Sequence, residues 1–232
     1  MSLRKFLVAV RSARRTGPLA LLAVGVFITA ASASEPSDPG LRFEQVFNDR
    51  GEPPALHFRA RYGSPGESHQ LEVWRDGGRR LVRRTDDTIE THVARRQGDA
   101  GFEMVVLDLR RKIETRIARD DLYRIGNTTD WFDLAHGLRH PKAAYDLRTS
   151  AAPAQSPRPI EACKWYVLMQ GGRSTALCWS SDAHVPLLML DDMGHVLWQL
   201  TAIERKPAPA AVFEVRDFGF VRNDAGQDIS SD

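Results

Sequence analysis

Short segments in which apolar and polar residues alternate dominate this chain beyond residue 40, and Gly, Pro, Asn and Asp separate them. Alternation is typical of half-buried β-strands, because successive side chains of a strand point to opposite faces. The sequence therefore predicts a mainly β fold with antiparallel pairing. The predicted strands are 43–47, 56–62, 70–75, 79–84, 89–95, 102–109, 113–118, 163–169, 175–180, 187–190, 196–204 and 213–215.

One connection between these segments has a specific turn signature. Asp76-Gly77-Gly78 separates two alternating segments, and Asp-Gly and Gly-Gly tolerate the positive φ that tight hairpins require. With other connections equally short, we expect consecutive strands to pair as a meander.

A short helix is predicted between the two blocks of strands. Thr129 or Asp130 can cap its first turn, and Pro141 prevents it from continuing. The expected inward-facing residues are Trp131, Leu134, Ala135 and Leu138. Asp120-Asp121 marks a possible second helix start, so one or two short helices are expected to cover the sheet.

Two segments are predicted to lack regular structure. Residues 148–160 are rich in Ala, Pro and Ser, which predicts an exposed connector. Residues 221–232 predict a polar tail that could pair with or fold on a partner.

The amino terminus has the pattern of a cleavable signal peptide. Five basic residues precede an apolar run at 19–31, and Ala31-Ser32-Ala33 has the form that signal peptidase recognises. Cleavage after Ala33 would divide the chain into a signal peptide at 1–33 and a single domain at 34–232. The alternative is an uncleaved anchor, but the run is shorter than the ~20 residues of a spanning helix. We therefore expect a periplasmic protein without a transmembrane segment after cleavage.

Removing this leader changes the charge of the chain. The whole sequence has 32 Lys and Arg and 30 Asp and Glu, and the leader holds five of the basic residues and none of the acidic ones. The mature chain would be slightly acidic, which argues against a nucleic-acid partner. Its basic pairs, which include Arg110-Arg111-Lys112, are interpreted as solvated strand faces, and the alternative is a groove that attracts anionic head groups.

Two cysteines, Cys163 and Cys178, flank Gly171-Gly172. In an exported chain, this spacing predicts a disulfide across one β-hairpin. A redox-active pair or a metal site is the alternative, but the spacing is not the C-x-x-C that lowers a thiol pKa.

The disulfide also predicts a register for this hairpin. If the cysteines pair directly across the ladder, the centre falls between Gln170 and Gly171. Trp165 would then lie opposite Ala176 and share the face of the disulfide.

Asp133, His136 and His140 are the weak candidates for metal ligands. Their spacing would place them on one face of the predicted helix if it continued that far. Gly137 weakens such a helix, and His140 precedes a proline. Histidines at the surface or capping a helix end are the simpler interpretation, and no metal site is predicted outright.

Motifs for catalysis and cofactors are missing from the sequence. It contains no G-x-S-x-G elbow, phosphate loop, dinucleotide fingerprint or c-type haem attachment motif. We therefore expect no cofactor, and the sequence names no reaction.

The last third of the chain contains four segments with a recognisable order, Cys163-Lys164-Trp165-Tyr166, Ala176-Leu177-Cys178-Trp179, Val185-Pro186-Leu187-Leu188 and Leu200-Thr201-Ala202-Ile203. In this pattern the chain resembles the LolA-like superfamily of periplasmic proteins, which includes lipoprotein carriers and sensory domains of envelope-stress regulators. The resemblance implies a strongly curved antiparallel sheet, an unclosed barrel with covering helices, often around an apolar cavity. It implies binding rather than a reaction. The disulfide and the Arg-rich middle strands depart from the lipoprotein carriers, which puts carriage of lipoproteins in doubt.

The tryptophans are the candidate ligand contacts in such a cavity. Trp74, Trp131, Trp165 and Trp198 could line a concave face and bind an acyl chain or another apolar group. The alternative is core packing, since tryptophan is usually buried for its area alone.

Three functional hypotheses follow. The first is a non-catalytic periplasmic binding protein that carries or senses a lipid or other apolar ligand. The second is an accessory or sensor protein that docks another envelope protein. The third is a metal-assisted hydrolase, which would require Asp133, His136 and His140 to converge around a water molecule.

Overall fold

The computed structural model describes residues 40–95, 101–118, 121–122 and 130–224. The predicted signal peptide and residues 225–232 lie outside the described residues. Twelve strands form one sheet, and their bounds are β1 Ala55–Ser64, β2 Glu67–Asp76, β3 Arg80–Thr85, β4 Ile89–Ala94, β5 Glu103–Asp108, β6 Ile113–Ile117, β7 Tyr145–Thr149, β8 Lys164–Gln170, β9 Arg173–Ser180, β10 Val185–Leu190, β11 Val196–Glu204 and β12 Val221–Asp224.

The sheet is open, as predicted for a curved, mainly β fold. Its strand order is β12-β6-β5-β4-β3-β2-β1-β11-β10-β9-β8-β7. Consecutive strands pair within two blocks, β1 to β6 and β7 to β11, which confirms the meander, and the blocks join through β1 and β11. Every neighbouring pair of described strands is antiparallel except β6 and β12, which are parallel.

The prediction of a polar tail from residue 221 onward is wrong for the first four residues of that segment. Val221–Asp224 form β12 beside β6 at the edge of the sheet. This pairing satisfies backbone groups that β6 would otherwise expose at the edge. The predicted strand at 213–215 is also wrong, since a 3-10 helix occupies Ala210–Phe213 and irregular backbone follows.

One face of the sheet, which we call the helix face, carries the core. It is formed by residues such as Phe58, Val73, Leu81, Val93 and Met104. A buried cluster joins β1, β2, β10 and β11, and a second packs β3 to β5 against the helix at 131–135. The interior of the protein lies on this face.

The helix α1, Phe43–Val46, corrects the prediction of a strand at 43–47. Phe43 and Phe47 are four residues apart, which places both rings on one side of a helical turn. Their centroids are 4.9 Å apart, and Phe47 also packs on Trp179. Burial of both rings in a common cluster stabilises the turn that the local pattern did not indicate.

The second helix, α2, spans Trp131–Ala135, and Asp130 caps it as predicted by accepting a hydrogen bond from the Phe132 amide at 2.7 Å. All four residues expected to face inward are buried. The helix ends before Leu138 because Gly137 adopts φ +69, a conformation incompatible with helix continuation.

The predicted disulfide between Cys163 and Cys178 is present, with Cα atoms 5.5 Å apart. The predicted register of its hairpin is wrong by two residues, because Gly171-Gly172 form the turn and Trp165 lies opposite Cys178 rather than Ala176. Cys163 precedes β8, so the bond runs diagonally across the pair. Trp165 nonetheless packs in the same cluster as the disulfide, which confirms that they share a face.

The predicted connector at 148–160 begins too early, since Arg148 and Thr149 belong to β7. Residues 150–163 are irregular. The Leu41 amide donates to the Leu147 carbonyl at 2.9 Å, so the chain before α1 partly covers the outer edge of β7.

Candidate docking site

The three candidate metal ligands do not all converge, and Asp130, Asp133 and His140 are the residues whose potential ligand atoms lie within 4.8 Å of one another. Asp133 and His140 meet, with 2.9 Å between Asp133 Oδ1 and His140 Nδ1, and Asp130 Oδ2 lies 3.3 Å from the same nitrogen. His136 lies in the interior instead, because α2 ends before it. The sequence reasoning missed Asp130, whose other oxygen caps α2. Hydrogen bonding and capping account for this acidic cluster without an ion.

His136 belongs to a buried ionic network on the helix face. Its Nε2 lies 2.9 Å from Glu52 Oε2, which is also 3.3 Å from Arg75 Nη1. Arg75 donates to the carbonyls of Ala135 and Ala183 at 3.3 and 3.1 Å. The network joins β2 to three irregular segments, so we assign it a structural role.

The pKa values in this network reflect burial and charge together. Burial raises the pKa of Glu52, but the His136 hydrogen bond and the Arg75 charge outweigh it and hold the pKa below its ordinary value. Burial lowers the pKa of His136 by more than the Glu52 hydrogen bond raises it. Glu52 is therefore the ionised partner of Arg75 at neutral pH.

The four candidate tryptophans lie in different places. Trp131 and Trp198 are 5% and 4% exposed and fill the core on the helix face, and Trp165 packs half-buried with the disulfide. Trp74 lies on the opposite face, where its ring stacks on His57 with centroids 5.0 Å apart. They do not line one common slot.

The segment between β11 and β12, residues 205–220, crosses the face of the sheet opposite the helix face. We call this segment the strap and the face that it crosses the strap face. Six strands separate β11 from β12 in the sheet, so the chain must pass over them. Arg80 lies over the Phe213 ring at 4.6 Å, which holds the middle of the strap.

Cross-strand ion pairs cover much of the strap face. Arg59 pairs with Glu72 at 2.9 Å and Arg84 with Glu90 at 2.6 Å, both between directly opposed residues. A hollow of ≈ 300 Å³ beside them is lined by arginines and also by Glu72 and Asp86. This balance of charge does not favour the groove for anionic head groups.

The end of the strap is held by a second ionic cluster. Arg222 Nε lies 3.2 Å from Glu114 Oε2, and its Nη2 lies 3.3 Å from Asp217 Oδ2. Arg116 Nε donates to Glu114 at 2.5 Å. Because the Glu114 side chain is fully buried, the two arginines neutralise it and join β6, β12 and the strap.

A tight turn at 217–220 follows from this anchoring. The Phe220 amide donates to the Asp217 carbonyl at 2.9 Å, and Gly219 takes the positive φ, +78, that such a turn requires. Phe218 is consequently presented at the tip, where it is 101% exposed. Phe220 instead lies under Lys112, with Nζ 4.8 Å from the ring.

A second turn, which joins β5 to β6 at residues 109–112, lies beside the first. Val221, 69% exposed, donates its amide to the Lys112 carbonyl at 2.8 Å, so the two turns lie at the same end of the sheet. Arg110, Arg111 and Lys112 are all exposed there. We call these three residues, with Phe218 and Val221, the docking patch.

Sequence reasoning missed this patch. Residues after Phe220 were interpreted only as a tail, and the arginines at 110–112 as a solvated strand face. The signal that could have found it is Phe218-Gly219-Phe220 after Asp217, which is a turn pattern with an aromatic residue at its tip.

Comparisons with known proteins give limited results. No protein-family model matches the chain, and no curated protein matches it. A crystal structure of MucB is similar at 17% identity and a TM-score of 0.35, covering 72% of this chain and 59% of that one. The Pseudomonas aeruginosa MucA/MucB complex is similar at 16% identity and a TM-score of 0.36, covering 70% and 56%.

This chain thus spans less than two thirds of the length of those structures. At these scores the likeness carries no argument about function. Among the described residues, no helix is long and apolar enough to cross a membrane.

Proposed function

We propose that this protein is an exported, non-catalytic binding protein that docks an acidic, extended segment of another envelope protein at the docking patch. The observation that carries the proposal is Phe218, a fully exposed aromatic side chain on a rigid turn beside the edge of the sheet. This is the second of the three hypotheses, with the contact surface specified.

Phe218 has the properties of an interface anchor. Large aromatic side chains supply much of the binding free energy of interfaces when a partner covers them. Here the turn is fixed by Gly219 and by the ion pair between Asp217 and Arg222, so little conformational entropy is lost on binding. An exposed ring held in this way is suited to a partner's pocket.

The edge of β12 supplies the second element of the interface. It pairs with β6 on one side, and none of the strands in the described residues pairs with its other side. A strand at the end of a sheet is the position at which an extended segment can add as a further strand. Val221, exposed within this strand, would contact an apolar side chain of that segment.

Charge indicates the chemistry of the partner. Arg110, Arg111 and Lys112 are exposed on the turn that contacts Val221 and Phe220, with Arg111 also 3.8 Å from Asp108. The sequence after residue 33 is slightly acidic overall. A locally basic surface on an acidic protein favours an acidic partner and accelerates its association. The occupant we infer is therefore an extended segment with Asp or Glu near an apolar residue.

The remaining parts of the proposal are supported less directly. The Cys163–Cys178 disulfide is consistent with an oxidising compartment and thus with export. Cleavage after Ala33 and membership of the LolA-like superfamily remain predictions. The lipid hypothesis remains a prediction too, although Trp131 and Trp198 are packed in the core. The hydrolase hypothesis required Asp133, His136 and His140 to converge, and His136 lies apart from the other two beside Glu52.

A peptide selection tests the proposal while the partner is still unidentified. Phage-displayed random peptides of about a dozen residues are selected on the purified, disulfide-bonded protein, and the affinities of the enriched peptides are measured by calorimetry. We expect enrichment of Asp and Glu near an aliphatic or aromatic residue. Phe218→Ser should weaken binding about tenfold or more, as for an interface anchor.

Two further variants complete the experiment. Arg110→Glu with Arg111→Glu should also weaken binding and reduce its dependence on salt. Met193→Ser is the matched control, because Met193 is 78% exposed in a turn elsewhere. Enriched peptides that bind equally to Phe218→Ser, or that Met193→Ser weakens as much, would contradict the proposal.

A further inference from the structure

The middle of the strap covers a small apolar hollow, separate from the docking patch. Its volume is ≈ 130 Å³. Val82, Ala94 and Val105 line it from β3, β4 and β5, and Phe213 and Val215 line it from the strap. It is partly open to solvent, so a small molecule could reach it.

Three polar side chains contribute to the lining of this hollow, of which Arg80 and Glu103 are exposed and His92 is buried. His92 is 6% exposed, and its Nε2 lies 2.8 Å from Glu90 Oε1. Glu90 is also bound by Arg84, with 2.6 Å between Arg84 Nη2 and Glu90 Oε2. The hydrogen bond from His92, followed by that from Arg84, holds the pKa of Glu90 below its usual range despite burial.

The second ring nitrogen of His92 has no such partner. A carboxylate only accepts hydrogen bonds, so the contact with Glu90 assigns a hydrogen to Nε2, and the tautomer with that single ring hydrogen has its lone pair on Nδ1. Nδ1 is buried and makes no hydrogen bond within the described residues. Buried polar atoms are normally paired, so an unsatisfied acceptor here points to a ligand that donates.

Size and polarity restrict what that ligand can be. A buried water needs two to four polar partners, whereas the side chains that surround His92 in the hollow are apolar apart from the exposed Arg80 and Glu103, and the Arg80 guanidinium already binds Asp76. An engineered cavity of ~150 Å³ in another protein is known to bind benzene, so this volume suits a single ring. A longer chain would not fit, since small-molecule sites usually occupy ~300–1,000 Å³.

We propose that the hollow beneath the strap binds a small apolar molecule with one hydroxyl group, of about the size of phenol. The hydroxyl donates to His92 Nδ1, and the ring packs between Val82, Val105 and Phe213. The ligand would pack against the strap and β3 to β5 together and thus hold the strap against the sheet. This site is independent of the docking patch and does not rest on it.

The probes are phenol and benzene, which differ by the hydroxyl group alone. Binding is followed by NMR, from the methyl signals of Val82, Val105 and Val215 in the mature, disulfide-bonded protein. We expect phenol to shift these signals and to bind about tenfold more tightly than benzene, as for one hydrogen bond to a buried acceptor.

Two variants separate the contribution of the hydrogen bond to His92 from that of the volume of the hollow. His92→Phe should abolish the preference for phenol over benzene. Val215→Phe, which narrows the hollow from the adaptable strap, should weaken both probes, and its folding is checked by the unchanged amide spectrum of the helix face. Met193→Ser is again the control that should change nothing.

Several results would overturn the proposal. One is the absence of methyl shifts at high phenol concentration in the wild type. Equal affinity for phenol and benzene is another, and so is an unchanged phenol preference in folded His92→Phe. If His92→Phe does not fold, the comparison of the two probes in the wild type and in Val215→Phe still tests the proposal.

Discussion

Substituting Glu52 with Gln should destabilise the protein through the arginine that it neutralises. Arg75 is 2% exposed, and its contact with Glu52 Oε2 is 3.3 Å. Without the carboxylate charge, Arg75 keeps its hydrogen bonds to two backbone carbonyls but is a buried cation that retains only the weaker attraction of Asp49. Removing one partner of a buried pair typically costs about 3–5 kcal/mol.

We expect the lower end of this range, about 3 kcal/mol, because Gln can still accept hydrogen bonds and the Glu52 side chain is 13% exposed. For a domain of this length, that loss corresponds to a decrease in Tm of about 6–12 °C. The assay is urea denaturation of the mature, disulfide-bonded protein, followed by tryptophan fluorescence at neutral pH.

Two comparisons make this prediction specific. Asp146→Asn removes the charge of an exposed ion pair with Arg148 and should leave the free energy of unfolding unchanged within error. Adding Arg75→Met to Glu52→Gln should cost less than the sum of the two single substitutions, because no unpaired charge is then buried. A loss for Glu52→Gln no larger than that of the control, or full additivity in the double variant, would refute the reasoning.

Three further predictions concern the same scaffold. Cys163→Ser should lower the free energy of unfolding by about 3 kcal/mol, the cost of opening a 15-residue loop, and reductant should have the same effect on the wild type but none on the variant. Gly137→Ala should lower the free energy of unfolding more than Gly172→Ala does. Both positions have positive φ, which costs alanine about 1–2 kcal/mol, but at Gly137 the new Cβ would also lie 2.6 Å from the indole ring of Trp198 in β11. Equal losses in urea denaturation would contradict this. Acidification should lower Tm, because the pKa of Glu52 and that of His136 are both below their ordinary values of 4.5 and 6.5. The stability that each group contributes is present at pH values above its ordinary pKa and is lost as the pH falls. A Tm that rises on acidification would be inconsistent with the network.

Local sequence signals predicted much of the fold. The alternating segments between residues 56 and 118 correspond to β1 to β6, and Asp76-Gly77-Gly78 connects β2 to β3 as expected. Asp130 caps α2, and the two cysteines are bonded. Each of these features depends on residues close together in the chain, where turn and capping preferences act.

The errors have identifiable physical reasons. Phe43 and Phe47 suggested a strand by composition, although their spacing fits a helical turn, and packing on Trp179 decided the outcome. The hairpin register followed from assuming directly opposed cysteines, whereas the preference of Gly171-Gly172 for a tight turn set it.

The candidate sites were beyond sequence reasoning because they depend on contacts between distant residues. The strap brings Phe213 over Arg80, and the parallel pairing of β12 with β6 places Arg222 beside Glu114. No periodicity predicts that a chain crosses six strands to reach the far edge. Phe218 therefore had no predicted surroundings, and its exposure emerged only with the fold.

The docking patch can be tested most directly by site-specific photocrosslinking in the cell that makes the protein. A photoreactive amino acid replaces Phe218 in one variant and Met193 in the other, and the crosslinked residues of any adduct are mapped by mass spectrometry. If the docking patch binds the partner, we expect an adduct at position 218, not at 193, in which the partner's crosslinked segment is acidic and extended. Adducts of equal yield at both positions, or a segment at 218 without acidic residues, would contradict it.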